Sequence, residues 1–338
     1  MSKRIAVYAI VLILVQLACG VRASAQLPAG CFAITIWYWP DTLPLGWFVW
    51  SPFGQGPYSY YIAAVNDGCT PSVPEDCPTC NSASKPISLS TGNTYIKETD
   101  VVLPGLGGGL SLGRTWNSIW PASQITNQVG WFGTRWKSNF DERVFLSSDH
   151  FVKYMRSDGS FWSFGLNSNG PGFDVVAPAN EKAILVGSAS GSAWTLTFQN
   201  GEKRTFDGTT GKLTAIIDRN GNTTQVAYDS SGRLVTVTDA AGRHLYFTYG
   251  SPTSLLVTGV SSDFGVSLSY SYDASGRLTQ VVKPDLTTIN YTYNSQSLIT
   301  SVTDSQGKVL ESHTYDSQGR GLTGSQANGI GAVTISYP

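Results

Sequence analysis

Tyr272-Asp273-Ala274-Ser275-Gly276-Arg277-Leu278 recurs along this chain, and the recurrence decides the fold. Tyr228-Asp229-Ser230-Ser231-Gly232-Arg233-Leu234 is nearly the same heptapeptide, and Tyr315-Asp316-Ser317-Gln318-Gly319-Arg320 is a third copy. Phe206-Asp207-Gly208-Thr209-Thr210-Gly211-Lys212-Leu213 and Tyr293-Asn294-Ser295-Gln296-Ser297-Leu298 are diverged copies. The aromatic positions 206, 228, 249, 272, 293, 315 and 337 step by 22, 21, 23, 21, 22 and 22 residues. A fixed period of this size marks a repeat array. Within each copy, Asp opens a tight turn by accepting from backbone N–H groups, and Gly supplies the positive φ. Val266, Leu268, Tyr270 and Tyr272 alternate onto one face of a strand, as do Ile289, Tyr291 and Tyr293. A second Asp-x-x-Gly turn follows in Asp218–Gly221, Asp239–Gly242 and Asp304–Gly307. Each unit is thus a β-hairpin of about 22 residues with a turn at both ends. The apolar offset after the turn is three (Leu234 to Val237) or four (Leu298 to Val302), which breaks strict alternation and implies a bulge. No unit can bury its apolar face alone, so the hairpins stack. Arg233, Arg277 and Arg320 are expected to pair with turn aspartates rather than bind a ligand.

The composition agrees with a turn-rich β protein. Charged residues make up 13% of the 338-residue chain, about half of the ~25% usual in globular proteins. Net charge is −1 and no basic stripe is present, which argues against nucleic acid as a partner. Residues 1–25 read as a signal peptide: Lys3 and Arg4, an apolar run from Ile5 to Ala18, then Ala23-Ser24-Ala25 as the cleavage site. The apolar run is shorter than the ~20 residues that span a bilayer. Cleavage leaves Cys31, Cys69, Cys77 and Cys80, an even number that in an exported chain favours structural disulfides of open connectivity. Residues 26–84 form a Cys- and aromatic-rich region and linker. Trp37, Trp39, Trp47 and Trp50 crowd there among prolines, either as a small packed cluster or as an exposed platform for sugars or a protein.

Residues 85–205 read as a repeat-opening β domain. Thr91-Gly92-Asn93 is a turn before a strand at Tyr95–Leu103, and Leu110–Ser118 is a second, alternating strand. Gly105-Leu106-Gly107-Gly108-Gly109 lacks the Lys-Ser/Thr and the strand–helix context of a phosphate loop, and reads as a turn. Asp158-Gly159 and Asn200-Gly201 mark hairpins between aromatic strands. Residues 206–338 hold the repeats.

These residues resemble the YD-repeat, or RHS-repeat, family. The Tyr-Asp-x-x-Gly-Arg units at 228, 272 and 315 carry its signature, and Lys85 through Ser118 is similar to the segment that opens the repeat core in bacterial members. The resemblance covers residues 85–338 and implies an all-β fold: stacked hairpins forming a spiral β-ribbon, here an open partial shell. In bacteria such shells commonly enclose a C-terminal toxin, animal relatives are adhesion modules, and some members are reported to bind carbohydrate. Too few repeats are present for a closed shell. The family's Asp-Pro-x-Gly-Leu self-cleavage signature is absent, Pro284-Asp285-Leu286 being no match. The expectation is a secreted, non-catalytic scaffold segment without a toxin, with no cofactor and no metal. Its partners would be a further repeat-containing chain or a second copy, met at an open sheet edge beside an unfilled concave face. The alternative is an extracellular carbohydrate- or cell-surface-binding module, with the aromatic rows of the strands stacking on glycans. A hydrolase on a β-propeller is disfavoured by uneven strand spacing before residue 200. His150, His244 and His313 lack a partnered Ser or Cys signature and read as solvated or core-edge side chains.

Overall fold

The computed structural model describes residues 87–338 except 148, 150, 167–171, 179, 189–190 and 338, together with the backbone of short strands at Ile34–Trp37, Ser59–Ile62 and Ser82–Ala83. Cys31, Cys69, Cys77, Cys80, Trp39, Trp47, Trp50 and His150 lie outside the described residues, as does the side chain of Trp37. The described chain is almost entirely antiparallel β-structure. A three-stranded sheet of Tyr95–Leu103, Leu110–Asn117 and Trp136–Ser138 comes first. A nineteen-stranded sheet follows, from Arg143–Leu146 to Val333–Thr334, in which every strand pairs with the next in sequence. The sheet runs through the expected boundary at position 205/206 without interruption.

Sequential pairing follows from the hairpin turns: each Asp-x-x-Gly closes on itself, with the Gly amide donating to the Asp carbonyl, as in Gly232 to Asp229 (2.8 Å) and Gly276 to Asp273 (3.0 Å). Gly232, Gly276 and Gly319 carry φ of 74°, 70° and 80°, the conformation a side chain disfavours. The bulge expected from the broken alternation sits just after the turn. Tyr228 faces Leu234 while Ala227 faces Thr236, leaving Val235 as the extra residue, and the same shift recurs at Tyr249, Tyr272, Tyr293 and Tyr315. A bulge increases local twist, so one per hairpin coils the ribbon steadily.

The first seven strands, Arg143–Leu146 to Lys203–Asp207, curl far enough for the first to meet the turn after the seventh. Arg143 bridges Lys212, and the Val144 amide donates to the Gly211 carbonyl at 2.9 Å. Inside the curl, Tyr154 on the second strand stands 6.2 Å from Phe198 on the sixth and 5.9 Å from Phe206 on the seventh, ring centre to ring centre.

The three-stranded sheet and the loop after it lie against the apolar face of the repeats. Leu112, Trp116, Phe132, Trp136 and Phe140 share one buried cluster with Leu234, Phe247, Leu268, Tyr270, Leu278 and Tyr291. This corrects the expectation of an unfilled concave face. A row of tyrosines and leucines that large is not left in water when the same chain supplies an apolar sheet to cover it. The covering also explains Gly321, which stands where the other repeats carry Leu234 and Leu278. A Cβ there would come 2.4 Å from Thr94 Oγ1 and 2.9 Å from Ile87 Cδ1, because the opening block already occupies that space. Restoring the repeat's leucine, Gly321→Leu, is expected to cost ~1–3 kcal/mol by overpacking. Ile87→Ala in the same chain should recover part of it; urea midpoints of the four combinations check this, and a stabilising Gly321→Leu would contradict the packing described.

Candidate functional site: the repeat ladder and the block it holds

Each motif side chain has a defined partner. The Asp229 carboxylate accepts from the Ser231 and Arg233 amides (both 2.9 Å) and from Arg233 Nε (2.7 Å). Asp273 and Asp316 repeat the arrangement with Arg277 and Arg320. Asp207, in the diverged copy, accepts instead from the Thr209 and Thr210 amides and the Thr210 hydroxyl. The guanidinium carbon of Arg233 lies 4.7 Å from the ring centre of Tyr249 in the next unit, and the spacing recurs for Arg277 on Tyr293 (4.9 Å) and Arg320 on Tyr337 (4.2 Å). So each of these three turns fixes its own arginine, and that arginine covers the following unit's tyrosine.

The tyrosine hydroxyls close the ladder. Tyr228, Tyr249, Tyr272, Tyr293, Tyr315 and Tyr337 donate to the carbonyls of Leu213, Leu234, Val257, Leu278, Ile299 and Gly321 at 2.6–2.9 Å. These are the post-turn residues, where the two flanking strands have stopped pairing: regular pairing between Val257–Ser262 and Ser267–Tyr272 begins only at Gly259 and Ser269. The ring fills the splay and the hydroxyl satisfies a carbonyl otherwise left open. Periodicity identifies the tyrosine as an apolar-face residue but does not reveal this bond. The signal available in the sequence is the constant spacing of 15 or 16 residues between donor and acceptor. Tyr272→Phe is expected to cost ~1–3 kcal/mol by leaving the Val257 carbonyl unpaired. Thermal unfolding measures it, and no change would mean that water replaces the bond.

Burial works against charge at Asp239, Asp273 and Asp316, but hydrogen bonds from Arg243, Arg277 and Arg320 outweigh it, so these carboxyls titrate below their ordinary range. A depressed carboxyl binds fewer protons folded than unfolded. Its contribution is therefore complete above the unfolded value of ~3.9 and is lost as pH falls through the lower folded value. Burial raises the carboxyls of Glu98, Asp141 and Glu142, which acts with the opposite sign, so the comparison must be between variants. Asp273→Asn is expected to be less stable than the parent at neutral pH and to converge with it at an acid pH below the carboxyl's depressed folded value. Urea titrations at both pH values check this, and a gap that stays constant would contradict it.

Where opening block and ribbon meet, a buried ion pair is set among rings. Leu110, Leu112, Arg114 and Trp116 point the same way from one strand, and all four are buried. Asp100 is the extra residue of a bulge in the neighbouring strand, between Thr99, which faces Gly113, and Val101, which faces Leu112. Its carboxylate takes two hydrogen bonds from Arg114, one from Nε and one from Nη2 (2.9 Å), and a third from the Tyr270 hydroxyl (2.8 Å). The guanidinium carbon lies 4.6 Å from the Trp136 ring centre, 5.6 Å from Phe132 and 5.5 Å from Tyr270. Burial disfavours the charge, but Asp100 holds the guanidinium protonated. Further bonds cross the same interface: Arg243 Nη2 to the Leu103 carbonyl (3.1 Å), the Val257 amide to the Trp131 carbonyl (2.9 Å), and the Gly321 amide to the Gly92 carbonyl (2.8 Å).

The aromatic rows offered by sequence as a glycan platform are the ones covered here: Tyr270 and Tyr291 are each 3% exposed. His313 follows Tyr291 in that buried row, with Glu311 at 3.4 Å. His244 is half-exposed and bonds Asp263 through Nδ1 at 2.7 Å, while Tyr246 donates to the other Asp263 oxygen. No Ser or Cys hydrogen-bonds either ring among the described residues, and no group of three His, Cys, Asp or Glu there is placed to hold a metal.

A ribbon of Tyr-Asp hairpins wound over an opening block is a repeat β-scaffold. Residues 207–244 and 255–288 match the RHS repeat family model, and residues 84–164 match that of DUF6531, a domain of unknown function. The matched hairpins are therefore RHS repeats. Among solved structures, the crystal structure of TcdB2-TccC3-TEV is 13% identical over 54% of this chain and 11% of that chain, with a TM-score of 0.28. The Photorhabdus luminescens Tc holotoxin pore is 12% identical over 69% of this chain and 14% of that one, at 0.29. The chain therefore spans a small fraction of the length of those proteins. No curated protein matches.

Proposed function

We propose that the chain is an exported, non-catalytic β-scaffold, a segment of an RHS-type shell whose opening block sets the curvature of the first repeats. One observation carries this: the side chains that recur with the motif are committed to one another. Asp holds Arg, Arg covers the next Tyr, and Tyr holds the carbonyl of the preceding post-turn residue. Chemistry needs at least one such group left to meet a substrate. Export rests on the signal-like first 25 residues. No helix among the described residues is long and apolar enough to cross a membrane. Among the described residues, strand Val333–Thr334 pairs on one side only, with Gly321–Gln326, so a further repeat hairpin, in this or another chain, is what this edge fits. Induced expression of the full chain in a bacterial host tests the scaffold role. Growth is expected to be unchanged, and arrest caused by this chain alone would overturn it.

A further inference from the structure

The curled first seven strands have a mouth, and the mouth is a cavity of about 270 Å³. Such mouths are among the usual places for small ligands in β-folds. Its apolar wall is Val152, Leu166, Phe173 and Trp194. Trp194 rests against Gly187, where a Cβ would come 3.2 Å from the indole, and stands 5.9 Å from Phe173. The opposite rim is the Thr209–Gly211 turn, brought close because Gly211 lets the Val144 carbonyl approach to 1.8 Å of where a Cβ would sit. One charged side chain lines the cavity, Arg143. Its Nε donates to the Thr210 carbonyl at 3.1 Å and its Nη1 to Asn127 Oδ1 at 3.4 Å, and it makes no ion pair among the described residues. Asp207, at the base of the same turn, does not line the cavity, and Thr209 and Thr210 hold its carboxylate.

A partly buried guanidinium with only neutral partners, on a residue lining a cavity that has an aromatic wall, is complementary to an anion with an apolar body. We propose that this mouth is a binding site for a small amphipathic carboxylate: an aromatic ring or comparable apolar group against Trp194 and Phe173, with its carboxylate on Arg143. The cavity exceeds the ~150 Å³ that accepts benzene in an engineered protein core, which leaves room for a ring and a short acidic arm. The site is independent of the scaffold role, since it shares only the diverged Phe206–Leu213 turn with the repeats and lies away from the Asp-Arg-Tyr contacts and the Asp100–Arg114 interface.

Isothermal titration of the full chain with 3-phenylpropionate and with its neutral amide tests it. The carboxylate is expected to bind about tenfold tighter, the difference a charge-assisted hydrogen bond makes. Arg143→Gln should reduce the carboxylate to the level of the amide, and Trp194→Ala should weaken both. The proposal is overturned if neither ligand binds at roughly millimolar concentration, if the two bind equally, or if a folded Arg143→Gln variant keeps the preference. Should that variant fail to fold, the comparison of carboxylate and amide on the unmodified chain still decides.

Discussion

Arg114→Leu is expected to lose ~3–5 kcal/mol of stability, because it leaves the Asp100 carboxylate buried without its cation. The magnitude follows from the surroundings. Both side chains are about 1% exposed, so water cannot replace the lost partner, and Tyr270 alone would solvate the carboxylate. Arg114→Lys should rescue little, since an ammonium offers no planar fork for two carboxylate oxygens and stacks poorly between Trp136 and Phe132. By contrast, the double variant Asp100→Leu with Arg114→Met should recover most of the loss, because a buried pair replaced by apolar side chains of similar volume is often neutral. Urea unfolding of the three variants separates the outcomes. A loss below about 1 kcal/mol for Arg114→Leu, the level of an exposed pair, would show that the ion pair does not clamp the block to the ribbon. A double variant as damaged as the single would show that the polar pair sets the register of the block as well as its stability.

The local half of this architecture is legible in the sequence, and the long-range half is not. Asp-x-x-Gly with an aromatic two residues beyond another apolar residue specifies turn, strand and face within a dozen positions, and the broken alternation after Leu234 specifies the bulge. Nothing local specifies that Asp100 meets Tyr270, 170 residues away. The clue was present but ambiguous: Leu110, Leu112, Arg114 and Trp116 alternate, so an arginine occupies an inward position. An inward arginine demands a buried acid, yet several acids were available, and only the bulge at Asp100 turns one toward it. The aromatic rows misled for the same reason. A period-two stripe shows that a face will be covered, but not whether a ligand, another chain or the same chain covers it. Gly321 was the remaining hint, a glycine where the repeat calls for leucine. The curl of the first seven strands was equally hidden, since it appears only when Val144 meets Gly211 across the intervening hairpins.

Trp136→Ala tests whether block and ribbon are one cooperative body. The side chain is fully buried, stands edge-on to Tyr291 with ring centres 5.3 Å apart, and lies beneath the Arg114 guanidinium. Removing it opens a large cavity in a wall built from both elements, at an expected cost of ~3–5 kcal/mol. Repeat arrays are where two-state unfolding often fails, because each unit touches mainly its neighbours. Here the opening block touches several units at once: Phe132 meets Tyr270, Trp136 meets Tyr291 and Phe140 meets Phe247. Such contacts couple hairpins that the ladder alone would link only in series. Tryptophan fluorescence, which arises wholly before the repeats, and far-UV circular dichroism, to which the repeat ribbon contributes most of the strands, should therefore trace coincident urea transitions in the parent. In Trp136→Ala both midpoints should fall together. If fluorescence alone shifts while the ribbon's transition stays in place, the block is a separable domain resting on a self-sufficient array, and the coupling argued from these rings does not exist.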